Sequence, residues 1–446
     1  MRIIGRLIVV GLVLFAVLQI FRPSIPAKPA TAEIQAPQEV KQMLVKDCYS
    51  CHSDERRLSW FDQIVPGYWL VRHDILTARE HLNFSALGAK PAAAQKATLY
   101  EAVNMVQLGA MPLPQFLRLH PDARVTPQEL NTLKTYLAPW TPALQPTTTQ
   151  ADQVQSTTRV PLTKVQPELN GLAFDPTFES WQPLSMTDRG DNRTFRFVLG
   201  NIAAVKASQT GDISPWPDGA RFAKIAWEQV AGPDGLVHPG KFIQVELMMK
   251  NASDYKDTQG WGWGRWRGLD LKPYGKDDHF VNECTGCHQP LRGNDYVYTI
   301  PMTAARVTGV EVVNNAAAAV ADATNLPHQP LVWGAITMYV DPKNHTMATL
   351  YGNDAAMDAV EAHRSAPVYT AGAVLALVTW AQRDDPHWFG ARIPDRPLSV
   401  EFVEAGGQQP GYRRFSGREL TEDEDAKKMA PQRASFMLGL APAPLP

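Results

Sequence analysis

Hydrophobic and polar positions divide this chain into three kinds of stretch. Arg2 and Arg6 precede an apolar run interrupted only by Gln19, and the segment from Ile3 to Phe21 is about long enough to span a bilayer. Charge placement predicts an exported chain with its positive end inside. The nearest Ala-x-Ala, Ala30 to Ala32, lies far beyond Phe21, which favours an uncleaved anchor over a removed signal peptide. RPSIPAKPATAEIQAP then reads as a tether holding the body off the membrane, so residues 1–36 are taken as anchor and tether.

From 37 to 140 the period is helical. Val40, Met43 and Leu44 predict an amphipathic helix over 37–52, and similar patterns cover His73 to Phe84 and Thr98 to Leu108. Thr126-Pro-Gln-Glu129 is a capping box with proline at the first helical position, opening a helix that runs to about Leu137. Thr-, Gln- and Pro-rich sequence over 141–165 reads as a linker. Beyond it the period changes to two. Phe195, Phe197 and Leu199 alternate with polar residues. In KFIQVELMMK one face carries Ile243, Val245, Leu247 and Met249, and the other Phe242, Gln244, Glu246 and Met248.

The chemistry is carried by a motif that occurs twice, Cys48-Tyr-Ser-Cys51-His52 and Cys284-Thr-Gly-Cys287-His288. Two thiols three positions apart can form thioethers to both vinyl groups of one haem, and the adjacent imidazole then ligates iron. A redox dithiol or half a zinc site would not need the histidine. The chain has four cysteines and the motifs use all of them, leaving none for disulfides. Two c-type haems follow as the expected cofactors, with His52 and His288 on iron. Met111, in a Met-Pro loop about sixty residues after His52, is the expected sixth ligand of the first haem, with His73, His81 and His120 as rivals. The second haem has no clear sixth ligand, with Met248 and Met249 left open as candidates.

With 446 residues there is room for two or three domains, and 43 basic against 45 acidic residues point to no nucleic-acid partner. Twelve tryptophans and 36 prolines suit a loop-rich protein around flat cofactors.

CYSCHSDERRLSWFDQIVPGYWLVRHDILTAREHLNFS and AMPLPQFLRLHPDARVTPQEL make the first domain resemble a bacterial haem-binding family. From Arg193 to Thr299, RTFRFVLGNIAAVKA, PWPDGARFAKIAWEQV, FIQVELMMKNASDY, GWGWGRWRG and ECTGCHQPLRGNDYVYTIP resemble the cytochrome P-460 family, which includes oxidisers of hydroxylamine. That resemblance implies a lysine bonded to the porphyrin edge, matched by Lys224. It also implies a glutamate over the open iron face, matched by Glu246, whose partly desolvated carboxyl is expected to rise toward neutrality as a proton acceptor.

The last third echoes the middle. TMATLYGNDAAMDAVEA follows TFRFVLGNIAAVKA, TAGAVLALVTWAQ follows PDGARFAKIAWEQ, and RPLSVEFVE follows KFIQVELMM, at offsets of roughly 150 residues. This copy has no CxxCH. Aligning Trp227 with Trp380 sets Leu377 opposite Lys224 and Glu401 opposite Glu246. Loss of the lysine with the haem motif favours a haem-linked role for Lys224, whereas persistence of the glutamate points partly to a structural role.

The expected fold is multidomain α + β. It comprises an α-helical cytochrome c-like domain (37–140), a linker (141–165), then two mainly antiparallel β-sheet domains, a P-460 domain (166–305) and a haemless repeat (306–446), packed as an intramolecular pseudo-dimer. The expected function is oxidation of hydroxylamine or a related small nitrogen compound. Electrons would pass through the His52 haem to a periplasmic acceptor, in a protein anchored in the inner membrane. The alternatives are a nitric-oxide binder resembling cytochrome c′-beta and a plain electron carrier.

Overall fold

The computed structural model describes residues 2–138, 160–303, 314–320, 325–406 and 410–446, so most of the expected linker lies outside the described residues. The chain divides into two compact units, Met1–Trp140 and Thr141–Pro446. One is helical and the other β-rich, a mixed α + β multidomain architecture.

In the helical unit the apolar run forms α1, Arg2–Leu18, of 17 residues. At 1.5 Å per residue that is about 25 Å, short of a bilayer core of about 30 Å. Among the described residues no helix is long and apolar enough to cross a membrane. The helix stops because Gln19 turns to the Val65 backbone, its amide donating to Val65 O at 3.1 Å and accepting from Val65 N at 2.9 Å.

The stretch expected to be a free tether is instead laid along the unit. Ile25 and Ile34 are buried, and the carbonyls of Pro23, Ser24 and Pro26 accept from Tyr68, Arg72 and Arg79. Composition pointed to a linker, but two isoleucines among the prolines are enough to anchor it, and proline carbonyls remain good acceptors.

The helices α2 (Gln38–Asp47), α3 (Tyr49–His52), α4 (Gly67–His81), α5 (Phe84–Leu87), α6 (Ala92–Gln107), α7 (Pro114–Leu117) and α8 (Pro127–Leu137) follow. The Thr126–Glu129 capping box forms as expected, with Thr126 accepting from Glu129 N and Glu129 accepting from Thr126 N.

The β-rich unit repeats one order of elements. The first half runs β1 (Gln182–Arg189), β2 (Thr194–Gly200), α9 (Ile202–Thr210), β3 (Arg221–Ala231), β4 (Val237–Lys250), β5 (Trp261–Arg267), β6 (Lys272–Pro273) and α10 (Val281–His288). The second runs β7 (Gly334–Asp341), β8 (Thr346–Gly352), α11 (Asp354–Ala362), β9 (Val374–Asp385), β10 (Trp388–Glu404), β11 (Gly411–Ser416), β12 (Thr421–Glu422) and α12 (Ala430–Gly439).

The halves share local devices. Asn201 caps α9 and donates to Gly219 O at 2.9 Å, and Asn353 caps α11 and donates to Gly372 O at 2.9 Å. Both glycines sit at positive φ, where a Cβ would be strained.

The two halves do not form a sheet each. β4 pairs with β7 and β1 with β10, closing eight antiparallel strands into a barrel, with β5–β6 and β11–β12 as flanking extensions. One core cluster crosses the halves and includes Trp227, Phe242 and Trp266 from the first and Trp380, Phe402 and Phe415 from the second. Closure removes the unpaired edges that two separate sheets would expose.

β4 also departs from simple alternation. Trp227 pairs with Phe242 and Ala226 with Gln244, leaving Ile243 as an extra residue. This bulge flips the phase, so Phe242 joins Val245 and Leu247 in the main core. Gln244, Glu246 and Met248 stay on the other face.

Candidate functional site

α10 presents Cys284, Cys287 and His288, and the turn after it fixes the imidazole. Asp295 and Tyr296 both adopt positive φ, 47° and 65°, which is rare for residues with side chains. Asp295 is held there from several sides. Lys250 Nζ donates to both carboxylate oxygens at 2.8 Å, Trp216 N donates to one at 2.9 Å, and the Asp295 carbonyl accepts from Trp261 Nε1 at 2.9 Å. The result is that Tyr296 O faces His288 Nδ1 at 2.6 Å. A carbonyl can only accept, so Nδ1 carries the hydrogen and Nε2 keeps its lone pair, the form that ligates iron. Burial pushes His288 down to about 4, so the ring is neutral at physiological pH. Trp263 and Tyr298 meet the ring at 4.5 and 5.0 Å, and Tyr298 Oη donates to Cys287 O at 2.9 Å.

These residues open on a cavity of about 340 Å³ bounded by β1–β5, α10 and the segment Val297–Ile300. Both thiols and the imidazole line it, as do Lys224 and Glu246. The donor set fits a haem: two thiols for thioethers and one neutral imidazole with its remote nitrogen free. Met248 lines the cavity, whereas Met249 packs against the main core.

Lys224 and Glu246 are cross-strand partners on β3 and β4, with Nζ and Oε2 2.5 Å apart. Arg265, opposite Glu246 on β5, reaches Oε1 at 3.3 Å, and Gln244 donates to the same carboxylate. What exposure they keep, 30% of the Lys224 side chain and 18% of the Glu246 side chain, belongs to groups on the cavity wall.

Burial alone would raise the Glu246 pKa, as the sequence led us to expect. Lys224, Arg265 and Arg196 outweigh it and bring the carboxyl down to about 2. Its contribution to stability is therefore complete above its ordinary value of 4.5 and is lost as pH falls from there through about 2. For Lys224, burial lowers the pKa more than Glu246 raises it, so the ammonium gives up its proton more readily than a solvated lysine.

The second half shows the same register without the lysine. Leu377 pairs with Glu401 as Lys224 pairs with Glu246, and Leu377 is fully buried. Glu401 takes a bidentate pair from Arg433 of α12 at 2.7 Å and a hydrogen bond from Tyr412 at 2.6 Å. A carboxylate held by a cation thus belongs to this strand position in both halves. Lys224 is particular to the half with the haem motif.

Sequence reasoning missed several cavity residues. Arg265 was legible in principle, since alternation in GWGWGRWRG puts it on the face that meets Glu246. Arg189, Asp385, Trp388 and Ile393 also line the cavity. The last three come from β9 and β10, and only the long-range β1–β10 pairing brings them there.

In the helical unit His52 Nδ1 donates to Leu82 O at 3.0 Å, and burial lowers its pKa. Tyr49 stacks on Phe84 at 5.3 Å beneath the motif helix α3. Met111 lines a separate cavity of about 250 Å³ with Val106, Pro112 and Leu117, and neither motif cysteine nor His52 borders it. Of the rivals, His73 and His81 are exposed on α4, and His120 is bound to Asp62 at 2.9 Å while stacked on Phe116.

Residues 8–139 match the model of a family described as Haem-binding domain, and residues 176–299 match that described as Cytochrome P460. No curated protein matches the chain.

Proposed function

We propose that the chain, a haem-binding domain joined to a Cytochrome P460 domain, is an exported dihaem c-type cytochrome. In this reading it oxidises hydroxylamine or a related small nitrogen compound in the β-unit cavity and delivers the electrons by way of the helical unit to a periplasmic acceptor. The observation that carries the reading is the Lys224–Glu246 pair on the wall of the cavity that holds Cys284, Cys287 and His288.

Haem would supply a redox-active iron with one open coordination position. Cys284 and Cys287 would hold it by thioethers and His288 by Nε2, with Cys48, Cys51 and His52 doing the same in the helical unit. The sixth position there is proposed for Met111.

Lys224 would tie the macrocycle to β3, as its counterpart does in the resembled family. Glu246, at about 2, is a weak proton acceptor in the paired state. Its part here is to hold the Lys224 amine at the cavity wall. The apolar first residues, to Phe21, are proposed to direct export and to hold the chain at the inner membrane.

Anaerobic mixing of the oxidised protein with hydroxylamine tests this. Reduction of the helical unit's haem is the expected result. In a Cys48→Ser/Cys51→Ser variant the haem count should fall from two to one and that phase should vanish. A fully loaded protein that hydroxylamine leaves oxidised contradicts the reading. A high-spin spectrum that responds only to nitric oxide would mark a gas binder instead.

A further inference from the structure

β9 and β10 of the second half meet in a hairpin whose closing pair is Asp385 and Trp388, and both of these side chains line the cavity of the first half. The hairpin is fastened there. His387 Nδ1 donates to Tyr298 O at 2.8 Å, the Arg189 guanidinium lies 4.0 Å over the Trp388 ring, and β1 pairs with β10 through Asp188 and Arg392.

The cavity therefore holds two kinds of carboxyl group. Glu246 is fixed as an anion by Lys224, Arg265 and Gln244. Asp385 accepts one backbone hydrogen bond, from His387 N at 2.8 Å, and among the described residues it makes no ion pair. The basic groups facing it are Arg189, Arg383 and His387, and Arg189 is already taken by Asp191 at 2.5–2.6 Å. Across the cavity stand Lys224, Arg196, Arg265, Glu246 and Glu283. Burial raises the Asp385 carboxyl above the usual range despite Arg189, Arg383 and His387 beside it, so it can exchange a proton where Glu246 cannot.

We propose that Asp385 is the proton acceptor of the cavity, so that the half without a haem motif supplies the acid–base group for the half that has one. The proposal rests on haem occupying the cavity and not on the identity of the substrate. When one electron enters the site, its net charge falls by one. A proton from solvent then binds the Asp385 carboxylate, O–H forms, and no bond between heavy atoms changes. In turnover the same carboxylate receives the proton released from the substrate's N–H or O–H as electrons enter the site, and returns it to solvent as they leave toward the external acceptor.

The test is spectroelectrochemical titration of the full-length, haem-loaded protein without substrate, from about pH 5 to about pH 9. The component to follow is the high-spin haem. One proton per electron makes the equilibrium tenfold less favourable per pH unit, a slope approaching 59 mV. Wild type and Glu246→Gln should both show this slope over part of the range. Asp385→Asn should flatten it with haem content unchanged, and Asp385→Glu should restore it. A slope that survives in Asp385→Asn, or one absent from wild type, overturns the proposal. Because no substrate is present, failure here leaves the hydroxylamine reading standing, and failure of that reading leaves this result intact.

Discussion

Lys224→Leu is expected to remove a red-shifted Soret band from the reduced protein, leaving an ordinary ferrous c-haem spectrum, and to lower hydroxylamine-dependent reduction on the order of 10²-fold. Lys224 would no longer distort or fix the macrocycle, and misplacement of a reacting centre costs about that much. The substitution is one the molecule already carries, because Leu377 occupies the equivalent register position fully buried in β9. The fold should therefore survive. Glu246 loses its closest cation but keeps Arg265 and Gln244, so the expected cost is about 1–3 kcal/mol rather than that of an isolated buried charge. Optical spectra and thermal unfolding of the same sample separate the two effects. A spectrum identical to wild type would deny Lys224 any part in the haem.

Glu401→Gln should do the opposite, a large stability loss with little change in spectrum. Glu401 is the acceptor for both Arg433 and Tyr412, and its side chain is only 4% exposed. Removing one partner of a buried pair leaves the other charge uncompensated, at about 3–5 kcal/mol. For a unit of this size that lowers Tm by roughly 10 °C. A change of only one or two degrees in calorimetry would show that α12 is not held to the barrel by this pair.

What could be read from sequence followed the range of the interactions. The Thr126 capping box and the β repeat are local or periodic, and each has a counterpart in the structure. The alignment of Leu377 with Lys224 is matched by identical cross-strand registers. What escaped depends on contacts between distant segments. Barrel closure through β1–β10 and β4–β7 cannot be seen in either repeat alone, and it is closure that carries Asp385 and Trp388 to the cavity. The Ile243 bulge moved Phe242 off its expected face and into the main core, because alternation assumes no inserted residue. The pKa of Glu246 was expected in the wrong direction for the same reason. Desolvation was legible from its apolar neighbours, but Arg265 and Arg196 approach from other strands.

The account as a whole depends on Lys224 and the Cys284–Cys287 motif holding the same macrocycle. Mass analysis of a proteolytic digest of the haem-loaded protein tests it most directly. The prediction is a single haem-containing species that joins the Lys224 peptide to the peptide bearing Cys284, Cys287 and His288. Recovery of the Lys224 peptide at its unmodified mass, with haem on the cysteine peptide alone, would contradict it.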